Sequence, residues 1–161
     1  KLLKTLKQHG LAITTVKFSP DGTKLASASW DNTIQLWQVK EQGNTVQVKQ
    51  LQTLSGHQGG VTSLDFSADG RFLASSSSDA TVKLWSVNQG ILLKTLLGHN
   101  APVQSVSFSP DSQTLVSGDE NNGVMLWNLD LDDLLERSCH RLSNYLQTNP
   151  NLDDQARQLC Q

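Results

Sequence analysis

Apolar and polar positions alternate along most of this chain with the two-residue period of half-buried strands. Leu11 to Phe18 (LAITTVKF) ends in Ile13, Val16 and Phe18 set among polar partners, and Ser19-Pro20-Asp21-Gly22 follows with turn chemistry. Proline presets φ there and glycine accepts a positive φ. Lys24 to Ser29 is then the antiparallel partner strand. The pair Asp31-Asn32 tolerates a tight reversal, and Thr33 to Val39 (TIQLWQV) alternates again with β-branched and aromatic residues. A longer turn around Glu41 to Asn44 leads to Thr45 to Leu54, a loosely patterned fourth strand carrying Val46, Val48 and Leu51.

The same pattern returns twice. Blocks ending in tryptophan occur at Leu25 to Trp37 (LASASWDNTIQLW), Leu73 to Trp85 (LASSSSDATVKLW) and Leu115 to Trp127 (LVSGDENNGVMLW). Each follows an FSPDG-like block (Phe18 to Gly22, Phe66 to Gly70, Phe108 to Ser112), and each of those follows a histidine: His9, His57 and His99. The first two histidines and the first two tryptophans are both 48 residues apart; the second and third of each are both 42 apart. A period in the forties predicts a solenoid or a propeller, because one unit cannot bury its apolar face alone. The second unit has a short turn, Asn88-Gln89-Gly90, before a last strand Ile91 to Leu96. The six extra residues of the first unit are assigned to its third turn.

After Trp127 the period changes. Asp130 to Gln147 places Leu131, Leu134, Leu135, Cys139, Leu142, Tyr145 and Leu146 at three- and four-residue steps, with Asp130, Asp132 and Asp133 favourably near the N-terminus. An amphipathic helix is predicted, ended by Asn149-Pro150, with a short second helix from Asp153 to Leu159. This tail would shield the apolar side of the last unit.

Charge narrows the function classes. The 161 residues carry 13 Lys+Arg and 15 Asp+Glu, a formal net charge of -2. Residues 1–129 hold 10 basic against 9 acidic residues and the remainder 3 against 6. No strong field exists to hold nucleic acid or anionic lipid, and no apolar run approaches the roughly 18 residues of a membrane span. Cys139 and Cys160 are too few for a disulfide framework and lack metal-ligand spacing. Packed thiols in a reducing, cytoplasmic setting are expected, with no metal and no cofactor. The chain starts at Lys1, which suggests a piece of something longer.

Four coincident motifs now carry a resemblance. Gly-His near the start of a unit (Gly56-His57, Gly98-His99), FSPDG in the first hairpin, SxD before a turn and a closing Leu-Trp are similar to the WD-repeat family of β-propellers. The likeness covers about Gln8 to Asn128. Departures accompany it: the closing dipeptide lacks aspartate (Trp37-Gln38, Trp85-Ser86, Trp127-Asn128), Gln8 stands for glycine, and Asn121 and Gly123 stand where the other units have Asp and Thr. The resemblance implies an all-β fold of three four-stranded antiparallel blades, a partial propeller, over 1–129, with units about 7–54, 55–97 and 98–128. Residues 1–6 (KLLKTL), similar to Leu92 to Leu97, would be the outer strand of a preceding blade, and 130–161 a C-terminal helical cap.

The family ties each blade with a tetrad of His, Ser or Thr, Asp and Trp. Carried over by position, these are His9, Ser29, Asp31, Trp37; His57, Ser77, Asp79, Trp85; and His99, Asp119, Asn121, Trp127. A buried histidine and aspartate without partners would each cost several kcal/mol, whereas a chained network satisfies both. The third network is expected to be the weakest, since Asn121 offers no charged acceptor. Ser, His and Asp are also the parts of a hydrolase triad. Repetition favours the structural role, because a catalytic site needs one accessible nucleophile rather than an equivalent set in every unit. No GxxxxGK[ST], HExxH or CxxC occurs, the Gly59-Gly60 pair has no phosphate role, and His140 beside Cys139 would point to a different helix face.

Function is therefore expected in surface recognition. By resemblance, the face around the channel carries Ala12, Thr14 and Trp30, then Gly60, Thr62 and Ser78, then Pro102, Gln104 and Glu120. Trp30 is not demanded by the repeat, its counterparts being polar; it is either a binding anchor or a cover over its own turn and a neighbouring blade. Three blades cannot close a ring of roughly four to eight, so two blade faces would be left exposed. Upstream blades of the same polypeptide, favoured over a homo-oligomer, would complete it. The expected role is a non-catalytic scaffold or sensor for a protein or peptide partner. The Cys139 to Pro150 run (CxxLxxYLxxNP) is similar to tails of bacterial WD-repeat signalling proteins, which implies the C-terminal part of such a protein. The rivals are a self-assembling structural propeller and a hydrolytic propeller enzyme.

Overall fold

The computed structural model describes residues 2–43 and 45–129. Eleven strands lie within them. β1 (Ile13–Phe18), β2 (Lys24–Ser29), β3 (Thr33–Gln42) and β4 (Thr45–Ser55) form one antiparallel sheet in chain order. β5 (Val61–Phe66), β6 (Phe72–Ser77), β7 (Val82–Ser86) and β8 (Ile91–Leu96) form the second, and β9 (Val103–Phe108), β10 (Thr114–Asp119) and β11 (Val124–Asn128) the third. Four strands are thus described in each of the first two blades and three in the last.

The first turn of each blade folds for a local reason. Ser19 accepts from the Lys24 amide at 2.9 Å and donates to Asp21 at 2.5 Å, while Asp21 accepts from the Thr23 amide at 3.0 Å. Ser67 with Asp69, and Ser109 with Asp111, repeat the arrangement. Gly22 and Gly70 take the left-handed positions (φ 69° and 67°), where a Cβ would be unfavourable.

The outer hairpin corrects one expectation. The six extra residues of the first blade lengthen β3 and β4, not their turn: the ladder runs unbroken from Glu41↔Val46 to Gln42↔Thr45. β3 and β4 have 10 and 11 residues, against 5 and 6 in β7 and β8. Alternating polar and apolar residues on both arms keep the pairing going wherever it can, so extra chain enters the ladder. A bulge stands opposite Trp37 and Trp85, where Leu36↔Gln52 is followed by Trp37↔Gln50 and Leu84↔Lys94 by Trp85↔Leu92.

Residues 2–9 form no strand, although the repeat reading made 1–6 the outer strand of a preceding blade. A strand exists only against a partner ladder, and no described strand pairs its backbone with this segment, although Lys4 donates to the Val48 carbonyl of β4 at 3.1 Å. Leu6 instead lines a shallow hollow with Ile13, Val16 and Leu25. The helical cap expected over 130–161, including Cys139, His140 and Cys160, lies outside the described residues.

The blades pack face to face. β5 lies against β1 and β2, and β9 against β5 and β6. Ala26, Ala28, Ile34, Leu36 and Leu54 of the first blade meet Val61, Leu64, Phe66 and Leu73 of the second in one buried cluster. Polar ties cross the same junctions: Thr14 donates to the Val61 carbonyl at 2.6 Å and Thr62 to the Val103 carbonyl at 2.5 Å. Asp65 reaches Lys17 on one side and the Phe108 amide, at 2.8 Å, on the other.

Two equivalent surfaces stay open. Ile13, Val16 and Phe18 correspond to Val61, Leu64 and Phe66, yet Phe18 is 60% exposed where Phe66 is 7%. On the last blade Val124 and Leu126 are exposed, while their first-blade counterparts Ile34 and Leu36 are buried. These are the two halves of one repeating interface. Phe66→Ala should therefore cost about 3–5 kcal/mol, whereas Phe18→Ala in this chain should cost less than about 1 kcal/mol. Urea denaturation of the two variants checks the asymmetry, and equal costs would mean that the leading face is covered.

Candidate functional site

Each blade holds a linear polar relay. In the first, His9 Nδ1 lies 2.9 Å from Asp31 Oδ2, His9 Nε2 lies 2.9 Å from Ser27 Oγ, and Trp37 Nε1 donates to Ser27 Oγ at 3.1 Å. In the second, His57, Asp79, Ser75 and Trp85 repeat it at 2.9, 2.8 and 2.8 Å. Indole only donates, so the serine oxygen accepts from it; in the second blade, where burial lowers His57, the serine gives its single proton to Nε2 and the neutral imidazole donates Nδ1–H to the carboxylate. Among the described residues no buried side-chain nitrogen or oxygen lacks a partner.

The tetrad hydroxyl is Ser27 and Ser75, not Ser29 and Ser77. Trp37 pairs with Leu25 across the ladder, which puts Ser27 two residues away on the same face, within reach of the indole. Ser29 is four residues away, roughly 13 Å along the strand. Ser29 closes the turn instead, donating to the Leu11 carbonyl at 3.2 Å and accepting from the Asp31 amide at 3.0 Å, and Ser77 does the same with Gly59 and Asp79. The position was detectable, since 27, 75 and 117 are serine in every unit whereas 29, 77 and 119 are not.

The third blade rewires its relay by two residues. Ser117 bridges His99 (2.6 Å) and Trp127 (2.8 Å), and the carboxylate on His99 Nδ1 belongs to Asp119, at 2.5 Å. Asn121 is not a member; its amide donates to Asp119, as does that of Gly123. This network therefore does possess a charged acceptor, Asp119 in place of the expected Asn121. Gly123 makes the shift possible, because a Cβ there would stand 2.4 Å from Asp119 Oδ2. Serine, aspartate and threonine of the first two blades (29/31/33, 77/79/81) have become aspartate, asparagine and glycine as one coordinated change.

Electrostatics agrees with the relay. Burial alone would raise the Asp31 and Asp79 carboxyls, but donors from Thr33, Gly10 and His9, and from Thr81, Gln58 and His57, overcome it and hold both at about 2. Asp119 is lowered first by His99 and then by the Gly123 amide. Burial lowers His57, with Asp79 opposing, consistent with a neutral ring. A triad serine also gives its proton to histidine, but Ser27, Ser75 and Ser117 are buried and each receives an indole N–H, so no substrate reaches their oxygens. Among the described residues no group of three or more His, Cys, Asp or Glu is placed to hold a metal.

The expected recognition residues lie where each inner strand begins. Trp30 is 48% exposed, and its other side rests on buried Gly60 of the second blade, where a Cβ would stand 2.0 Å from the ring. It therefore covers a neighbouring blade and still presents indole to solvent. Gly59 approaches the Asp79 backbone closely, so this glycine pair serves packing. Ala12 accepts from the Trp30 amide, Gly60 from that of Ser78, and Pro102 from that of Glu120. Thr14 and Thr62 are engaged at the blade junctions, and Gln104 donates to Glu120 at 2.6 Å.

The family model "WD domain, G-beta repeat" matches residues 1–38, 48–86 and 90–128. The chain belongs to the WD-repeat family. Each matched repeat starts upstream of its blade, so that β4 pairs with the first blade while its residues fall largely in the second repeat. Among curated relatives it is similar to Protein HIR1 of Kluyveromyces lactis, 47% identical over 47 residues, 29% of this chain and 5% of that protein. The Ribosome biogenesis protein WDR12 homolog of Oryza sativa subsp. japonica is 40% identical over 50 residues, 29% of this chain and 12% of its own length. Ribosome assembly protein 4 of Chaetomium thermophilum is 44% identical over 41 residues, 26% of this chain and 8% of its own length. The matched segments thus span an eighth or less of these relatives.

Two outcomes test the relay. Gly123→Thr should destabilise the WD chain by about 1–3 kcal/mol, and adding Asp119→Ser with Asn121→Asp should restore it; Asn121→Ala alone should leave the urea midpoint unchanged, whereas Asp119→Ala should lower it clearly. Acid should act in two stages. His57 is depressed below 6.5, so the unfolded chain takes up the proton first and stability begins to fall as pH drops through 6.5. Asp31 and Asp79, at about 2 in the fold against 3.8 unperturbed, contribute fully above about 4 and lose that contribution between about 4 and about 2. Urea midpoints at pH 7, 5 and 3 should fall in that order, and Asp79→Asn should flatten the lower limb.

Proposed function

We propose that this chain is a non-catalytic protein-interaction module, the C-terminal blades of a larger WD-repeat propeller whose strand-start face docks a protein or peptide. One observation carries the reading: an indole half-exposed at a position the repeat leaves polar, backed by a neighbouring blade. Rigid, amphipathic aromatic area of this kind is typical of binding anchors, since little side-chain freedom remains to be lost. The relays support it by serving as restraints, which leaves the surface for function.

Further blades of the same polypeptide complete the ring in this reading. The open faces at Ile13, Val16 and Phe18 and at Val124 and Leu126 match the two sides of the internal junctions, so a blade of the same kind fits each. Assembly from copies of this chain is the second reading, favoured by the same complementarity. The Cys139 to Pro150 run supports placement in a cytoplasmic bacterial signalling protein, with the propeller as sensor or scaffold.

A photoreactive residue at Ser78, on the face, should crosslink partner proteins, and one at Asn88, in an outer turn, should not; equal labelling would remove the face as the docking surface. The chain alone should bind an apolar dye, and extension by upstream coding blades should abolish that binding and make Phe18→Ala as costly as Phe66→Ala. A discrete closed oligomer of this chain without dye binding would instead establish assembly from copies.

A further inference from the structure

Among the described residues, the end of the blades that carries Trp30 is poor in cations. Its strand starts and turns come from residues 8–16, 28–34, 56–64, 76–82, 98–106 and 117–124, and none of these segments contains lysine or arginine. Lys17, Lys24, Lys40, Arg71 and Lys94 lie outside these segments; Lys83 directly follows one of them but is buried with its ammonium on the Thr95 hydroxyl at 2.8 Å, and Lys7 directly precedes another. Negative groups are placed there instead. Glu120 is exposed on this face, held by Gln104, and the relay carboxylates of Asp31, Asp79 and Asp119 lie just beneath it with side chains 18%, 10% and 6% exposed. Asp79 keeps its full charge because its partner, His57, is neutral.

Trp30 is held in place to use that field. Its indole lies against Gly60 on one side, its amide donates to the Ala12 carbonyl at 3.0 Å, and the remaining half of the side chain faces solvent. An aromatic face attracts a cation through its quadrupole, and surrounding carboxylates add to the attraction. A guanidinium stacks on indole as a planar, weakly hydrated group, which favours arginine over lysine. Nucleic acid and anionic lipid are disfavoured, since the face offers phosphate no partner.

We propose that this face binds a basic peptide segment, with an arginine side chain stacked on the solvent-facing side of Trp30 and Glu120 contributing to its charge preference. The proposal rests on the reading of this face as the docking surface and names the chemistry of its partner.

Random heptapeptides displayed on phage, selected in parallel on the immobilised chain, Trp30→Ala and Glu120→Lys, test it. Peptides from the unaltered chain should be enriched in arginine, then lysine. That enrichment should vanish on Trp30→Ala, shrink on Glu120→Lys and weaken with added salt. For a synthetic selected peptide, replacing its arginine by alanine should weaken binding about 5- to 30-fold. Trp30→Phe should retain part of the affinity, and unchanged melting of Glu120→Lys keeps the result independent of any folding defect in Trp30→Ala. Selected peptides that depend on Trp30 but are neutral or acidic would overturn the basic-peptide proposal while leaving the docking face intact. Recovery of no Trp30-dependent peptide would overturn both.

Discussion

A neutral imidazole protonated on Nδ1 is the interaction on which the blades depend. It lets an indole donor, a hydroxyl, a ring nitrogen and a carboxylate satisfy one another in a chain, so that none of the four is left buried and unpaired. The relay also joins parts that the ladder cannot. Trp85 stands on the third strand, Ser75 on the second, Asp79 in the turn between them, and His57 ahead of the first strand, in a segment with no ladder of its own. Histidine thus ties the incoming chain to its blade, and the same tie fixes where each inner strand begins.

That placement sets the face. Because each inner strand starts at a position anchored by its own histidine, the residues around it recur blade after blade, and junction hydroxyls such as Thr14 and Thr62 reach the next blade's backbone. Trp30 rests on Gly60 for the same reason: two neighbouring anchors leave a gap of fixed width that a glycine backbone and an indole fill together. Scaffold and recognition surface are therefore coupled, with the buried polar groups giving order and the exposed ones left to bind. The third blade shows how much freedom the scheme allows. Moving the carboxylate from position 121 to 119 keeps the relay, provided that the threonine it would strike becomes Gly123.

Much of the architecture was legible beforehand because repetition samples the same physics three times. The turn signals and the repeat placed Lys24–Ser29 and Ile91–Leu96 where the strands lie, and the Ser-Pro-Asp-Gly turn chemistry is local, needing no distant contact. Errors arose where long-range pairing decides. The extra residues of the first hairpin joined β3 and β4 because cross-strand pairing, invisible to local turn signals, continued to the tip. The relay serine was misplaced for a similar reason. Ser27 and Ser29 share a strand face, and only the register of Trp37 opposite Leu25 tells which one the indole reaches.

By itself the sequence determined the blade as a unit, its turns, and its histidine, aspartate and tryptophan, since these are matters of period and residue type. Tertiary structure alone decided which serine completes the relay, that Asp119 rather than Asn121 receives His99, that Trp30 both covers Gly60 and meets solvent, and which apolar faces lack a neighbour. Those outcomes depend on distances between strands and between blades, and side-chain periodicity carries no information about either.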